Sequence, residues 1–409
     1  MNRGLAAATI SLLIAAVGLS AGCDDDDSKS GADSGSPDGG TSNDAGADTV
    51  VDAATDAVAN PFPYKPSNVD LTGIDFSKLT DIVVTGTGNQ VNGESGALGF
   101  NLPDDYFYKA VTRADDTRIG LFVVKSFRLE ANSVLEVAGV LPVVIVALDT
   151  ITIAGTFNCP PGLGGGGVQT NENAKGGGPG GGAAPVVTGA MIYAGGGGSF
   201  CGAGGGGALQ GGGAPGVKSP AYGTPTLVPL VAGSSGGTGA VGGGGGKGGG
   251  ALQLSAGVSI KIIAGGIINL PGAGGTFGGF DSYKQEGGGA GSGGALLLEA
   301  PAVAIAGTVA VNGGGGGQGM GDPGEEGQAS AVAAKGGQMP PSANFGGPGG
   351  AGDMPNGGDG MSGPMLSGGG GGGGVGRIRI NTASGAAAIT GVVSPSLAST
   401  CFTQGAILQ

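Results

Sequence analysis

The sequence predicts an all-β protein: a parallel β-helix or solenoid with long glycine-rich insertions, preceded by a disordered tether. Three observations predict it. A short apolar motif ending in Ile-Ala-Gly or a near-copy recurs five times. Leu, Ile and Val around each copy alternate with a period of two, the pattern of strands with one buried face. Glycine, 101 of 409 residues, is concentrated between copies, 82 of the 101 lying from Gly155 to Gly376.

Residues 1–22, "MNRGLAAATISLLIAAVGLSAG", read as a signal peptide. Arg3 supplies the positive start, Leu5 to Val17 the apolar run, and small residues follow. The run is too short for a spanning helix, which needs about 20 apolar residues. The next residue is Cys23, and "LSAGC" resembles the bacterial lipobox, with Ser20 where that pattern prefers Leu. The resemblance implies acylation of Cys23, an anchor in the bacterial envelope, and an outer-membrane address, periplasmic or surface-facing. Several acyl chains make such anchoring stable, at about 0.8 kcal/mol per buried methylene.

Residues 23–60 follow as an acidic tether. From Asp24 to Asn60 there are ten Asp and one Lys, so −9 of the formal −13 resides here. Such a stretch has too little apolar surface to fold and repels itself into an extended spacer. Its Asp residues lack the order of a calcium-binding loop. The rest of the chain offers no basic patch, which argues against nucleic acid as a partner.

Residues 61–127 read as an N-terminal β cap of the kind a solenoid needs over its exposed end. Residues 128–409 read as the solenoid itself. Its motifs are Val137-Ala138-Gly139, Ile153-Ala154-Gly155, Ile263-Ala264-Gly265, Ile305-Ala306-Gly307 and Ile389-Thr390-Gly391. The first two are 16 positions apart, close to one undecorated turn of chain; later spacings are 110, 42 and 84. The excess is the glycine-rich material, expected to leave from one corner of each turn. Ordering glycine costs more backbone entropy than ordering any other residue. The expectation is therefore partial order beside the strands and mobility at the tips.

The chain has no histidine, which excludes a Ser-His-Asp or Cys-His nucleophile and any His-containing metal site. Matches to G-x-G-x-x-G arise by chance in such an excess of glycine and have no βαβ setting, so no cofactor is expected. In an exported chain disulfides form. Cys159 and Cys201 flank one excursion and are the candidate bridge, worth about 4 kcal/mol by loop closure; pairing of Cys401 with either stays open. Charged residues on the strands are few: Arg128, Glu130, Glu136, Glu299, Arg377 and Arg379. Glu130 and Glu299 share the context Leu-Glu-Ala, which suggests equivalent outward positions with a structural role. "GDPGEEG" (Gly321–Gly327) and "NGGDG" (Asn356–Gly360) read as solvated loop tips.

The lipobox, the Asp/Gly tether, "FVVKSFRLEANSVLEVAGVLPVVIVALDTITIAGTF" and the "GGAL" strand starts together resemble a group of glycine-rich, predicted β-helical lipoproteins of myxobacteria and related bacteria. The resemblance implies an envelope location and no established chemistry. The expected role is non-enzymatic: structural, adhesive or in contact with a surface matrix or extracellular polysaccharide, with the membrane reached through the lipid. The alternative is a polysaccharide-binding or polysaccharide-cleaving β-helix.

Overall fold

A computed structural model describes residues 61–98, 106–169, 174–188, 191–240, 242–278, 285–339, 343–362 and 367–408. Cys23, the signal peptide and the tether lie outside the described residues.

The chain runs repeatedly through three sheets. Sheet 1 holds, in spatial order, Phe402–Ala406, Arg377–Thr382, Ala295–Glu299, Ala251–Ala256, Val143–Ala147, Arg118–Val124 and Phe107–Thr112. Sheet 2 holds Asp81–Val84, Ser126–Leu129, Thr150–Ile153, Ser259–Ile262, Ala302–Ile305 and Ala388–Ile389. Sheet 3 holds Asn89–Asn92, Val134–Ala138, Thr156–Asn158, Ile267–Asn269, Thr308–Ala310 and Val392–Ser394. Every neighbouring pair in these sheets is parallel except Phe107–Thr112, which closes the end of sheet 1 antiparallel to Arg118–Val124. The protein is thus all-β with parallel sheets, an arrangement compatible with a solenoid.

In-register columns of like residues explain the stacking. Phe122, Ile145, Leu254, Leu298 and Ile380 align across sheet 1, and Leu129, Ile153, Ile262, Ile305 and Ile389 across sheet 2. All but Ile389 are fully buried or nearly so. With the inward residues of sheet 3, such as Leu135, Phe157, Ile268 and Val309, they form one core. The sheets differ in pattern because they differ in cover. Sheet 2 alternates, as in Asp81-Ile82-Val83-Val84, because its outer face meets water. Sheet 1 reads as unbroken apolar runs, "VVIVA" and "ALLL", because both its faces are buried. Its outer face carries a second core, in which Phe62, Tyr64, Val69, Leu71 and Ile74 of an N-terminal strap meet Leu121, Val144 and Leu297.

Two expectations need correction. An undecorated turn takes 23 positions, Gly120 to its partner Val143, and not 16. Val137 lies in sheet 3, whereas Ile153, Ile305 and Ile389 lie in sheet 2, with Ile263 just past its strand; the first motif is a different strand of the turn from the other four. Asp81–Val84 pairs in parallel with Ser126–Leu129 at the end of sheet 2.

The glycine-rich excursions, residues 159–250, 270–294 and 311–376, all leave after a sheet 3 strand and return to a sheet 1 strand. They are ordered. In residues 287–294 each donor points to a different neighbour, and the direction repeats every third residue. Gly287, Ala290 and Gly293 donate to the carbonyls of Gly368, Gly371 and Gly374; Gly288, Gly291 and Gly294 to Thr276, Ala273 and Leu270; Gly289 and Ser292 to Gly237 and Ser234. The carbonyls repeat likewise: Gly287 and Ala290 accept from Gly195 and Gly198, Gly288 and Gly291 from Gly317 and Gly314, Gly289 and Ser292 from Gly246 and Gly249. A three-residue turn in an extended chain is the period of polyproline II. One segment thereby bonds six neighbours, and the backbone pairing that glycine order requires is supplied between excursions.

Glycine is required at the positions of this array where segments meet at their α-carbons. A Cβ on Gly289 would stand 1.9 Å from the Gly196 carbonyl oxygen, on Gly370 2.0 Å from that of Gly288, and on Gly293 1.9 Å from that of Val311.

Candidate functional site

The densest polar constellation on the strands is on the outer face of sheet 1. Gln253 and Ser255 interrupt an apolar strand; the register sets Ser255 beside Glu299, and Glu299 beside Asn381. The strap lies over them. Glu299 Oε2 accepts from the Ser67 N–H (2.9 Å), Gln253 Nε2 (3.1 Å) and Ser255 Oγ (3.2 Å); Oε1 accepts from Ser67 Oγ (2.7 Å) and Asn381 Nδ2 (2.9 Å). Tyr64 donates its hydroxyl to the Glu299 backbone carbonyl at 2.6 Å. Burial, with the Glu299 charge second, pushes that phenol far above its ordinary range. Asn68 extends the network, donating to Gln253 Oε1 and the Leu227 carbonyl and accepting from the Leu230 N–H.

Arg379 donates to Asn381 Oδ1 (2.7 Å) and to the Gln404 carbonyl (2.9 Å). Gln404 Oε1 in turn accepts from the Ala387 N–H, so side chains blunt the last edge of the stack. Burial lowers the Arg379 guanidinium pKa, and Glu299 opposes the shift. Burial likewise lowers that of Arg377, whose Nε has no partner.

The six charged residues singled out in sequence do not converge. Arg128 and Glu130 form an exposed pair at 2.6 Å at the end of a sheet 2 strand. Glu136 lies in sheet 3 between Gln90 and Asn158. Only Glu299, Arg377 and Arg379 share sheet 1. The expected equivalence of Glu130 and Glu299 fails: Leu129 ends a sheet 2 strand and Leu298 lies within a sheet 1 strand, so Leu-Glu-Ala recurs in two different places. Glu299 is 2% exposed, inside and not outward. Of the partners that fix its role, Gln253 carried a signal in sequence, a polar residue within the otherwise apolar start of a strand, whereas Ser67 and Asn68 lie in the strap, outside any strand.

This arrangement binds the strap and leaves little room for chemistry. Every lone-pair direction of Glu299 is filled, and no other sheet 1 strand carries Asp or Glu. Glycoside hydrolysis by the usual route needs two carboxyl groups about 5–9.5 Å apart across a substrate. Among the described residues no three Asp, Glu, Cys or His side chains come together to hold a metal, and no helix is long and apolar enough to cross a membrane.

The disulfide joins Cys201 to Cys401, not Cys159. The expected bridge is replaced because Cys159 is buried beside the Leu163 carbonyl, under sheet 3, whereas Cys201 reaches the turn before the last strand. Burial pushes the Cys159 thiol up to about 12. The "NGGDG" stretch is no free tip either. Asn356 Oδ1 and Asp359 Oδ1 accept from the Ala203 and Gly206 N–H groups, three residues apart on each chain, and Asp359 pairs with Lys218 at 2.8 Å.

Comparison with protein-family models, curated proteins and solved structures gives no match.

Proposed function

We propose that the chain is an envelope-anchored lipoprotein whose body is a parallel β-helix carrying a bundle of three-fold extended glycine chains. Its role is structural, adhesive or matrix-contacting and not catalytic. The observation that carries this reading is the closure of sheet 1: the one strand carboxylate on that face is saturated by five donors and roofed by the strap. The same side chains that would mark a sugar-cleaving groove fasten the N-terminal segment to the stack. The bundle supports a spacer or surface role, since hydrogen bonds between segments make the glycine-rich excursions a stiff body.

The anchor rests on Cys23 and the lipobox pattern. Palmitate labelling in cells tests it: incorporation that is lost in Cys23→Ala supports the anchor, and labelling that persists in that variant removes it. Release of reducing ends from a panel of polysaccharides incubated with the purified full chain tests the role. Absence of turnover with or without weak matrix binding is expected; cleavage of any polysaccharide overturns the non-enzymatic reading.

A further inference from the structure

The end of the glycine bundle far from the sheets has a polar interior. Glu286 and Gln285 open the central segment there. The hydrogen-bond register sets them level with Thr238, Gln318 and Ser367 on neighbouring segments: Gly287 donates to Gly368, Gly317 to Gly288, and Gly289 to Gly237. All five side chains are at most 6% exposed, and Glu286 is 0%.

Folded proteins pair nearly all buried polar atoms, and an orphan calls for an explanation such as an ion. Among the described residues nine buried side-chain polar atoms lack a partner, and six lie in this layer: Thr238 Oγ1, Gln285 Nε2 and Oε1, both carboxylate oxygens of Glu286, and Gln318 Oε1. Five of the six are oxygens. Thr238 Oγ1 and Gln285 Nε2 could donate, yet neither reaches the Glu286 carboxylate, whose two oxygens stay without a partner.

The group at its centre is a carboxylate. Glu286 Oε2 stands 2.2 Å from where a Gly368 Cβ would be, and Gln318 Nε2 donates to the adjacent Ser367 at 3.3 Å, so the two side chains flank Ser367-Gly368. The described residues around Glu286, namely 194–195, 207–209, 238–240, 242–243, 361–362 and 367–369, bring no Lys, Arg or second carboxylate. The Gly368 amide is near without reaching hydrogen-bond geometry. Burial accordingly pushes the Glu286 carboxyl up to about 8.

We propose that this layer is a cation site, in which Glu286, with amide and hydroxyl oxygens of Gln285, Gln318 and Thr238, takes a hard, oxygen-seeking divalent ion of the calcium class. Calcium accepts mixed sets of carboxylate, amide carbonyl and backbone oxygens in irregular geometry, whereas magnesium demands a tight octahedron. A single carboxylate suits the weak affinities of extracellular modules, on the order of 10⁻⁴–10⁻³ M. The site does not depend on the role proposed above.

The acidic tether takes up calcium diffusely, so the test reads the layer itself. Hydrogen exchange of the full chain is followed at pH 8.5 with chelator, 10 mM calcium or 10 mM magnesium. Binding at about 1 mM affinity slows exchange of the amides of Gly287 and Gly370 about tenfold. The expected result is that slowing with calcium, less with magnesium, and none in Glu286→Gln. No slowing in the native chain, equal slowing by both ions, or equal slowing in Glu286→Gln overturns the assignment. Should that variant fail to fold, Thr238→Val keeps the carboxylate and the shape. It is expected to lose more than half of the calcium response, and an undiminished response counts against the site.

Discussion

Glu299 holds Ser67 by two hydrogen bonds at once, Oε2 accepting from the backbone N–H at 2.9 Å and Oε1 from the hydroxyl at 2.7 Å. The pair joins residues 232 positions apart and pins the N-terminal strap across sheet 1. Glu299→Ala removes the shared acceptor of five donors, of which Gln253 Nε2 keeps the Ser67 carbonyl, and is expected to cost about 3–5 kcal/mol. Ser67→Ala removes one hydroxyl bond to a charged group, about 1.5–3 kcal/mol. Urea denaturation measures both. Limited proteolysis cutting first within residues 61–79 in Glu299→Ala places the damage at the strap, and native resistance there contradicts the clasp.

The glycine array makes a sharper prediction, because one methyl group decides it. In Gly289→Ala the new Cβ collides with the Gly196 carbonyl, and the backbone of a segment with six bonded neighbours has to move. A loss of about 3 kcal/mol or more is expected, at the upper end for overpacking. Gly216→Ala is the control: its nearest neighbours would be 3.3 Å away at Tyr193 and 3.4 Å at Gly207, so the change stays within about 1 kcal/mol. Similar thermal midpoints for the two variants would mean that the array is not packed in solution.

Much of the sheet stack was legible and the bundle was not, for one physical reason. A strand announces itself locally, since "TITI" or "AVAI" shows within four residues which side is buried. Phase around the turn is not local, so Val137, in sheet 3, passed for the counterpart of Ile153, in sheet 2, and Glu130 for that of Glu299. In the glycine segments order depends on Gly289 meeting Gly196 and Gly237, far away in sequence, and glycine carries no side chain to signal a buried face. Order there therefore looked like mobility. The polar layer was hidden likewise, because Thr238, Gln285, Glu286 and Gln318 meet only once the excursions are packed side by side.

The cysteines separate by accessibility. Cys201–Cys401 closes a span of 200 residues, worth about 5 kcal/mol by chain entropy. Under non-reducing conditions a peptide pair containing Cys201 and Cys401 is expected, with Cys159 resisting alkylation until the chain unfolds, because its thiol is buried and held neutral. A Cys159-containing bridge, or rapid labelling of Cys159 in the native chain, contradicts this assignment. Cys401→Ser should lower the thermal midpoint, and reductant should then add no further loss.

Stability should fall as pH rises through the neutral range when calcium is chelated, the reverse of the usual carboxylate effect. Folded, Glu286 keeps its proton up to about pH 8; unfolded, it releases it near 4.5. Between those values the unfolded chain binds fewer protons than the folded one, so stability decreases with pH there and levels off above about 8. The slope is at most about 1.4 kcal/mol per pH unit from this group. Asp70, Asp75 and Asp115, lowered first by hydroxyl bonds to Thr72, Ser77 and Thr117, act only at acid pH and in the opposite sense. The comparison with Glu286→Gln isolates the effect: the variant should show the shallower pH profile and exceed the native chain above pH 8. Denaturant midpoints from pH 5 to 9 that run parallel for the two proteins would mean that Glu286 does not hold its proton in the fold.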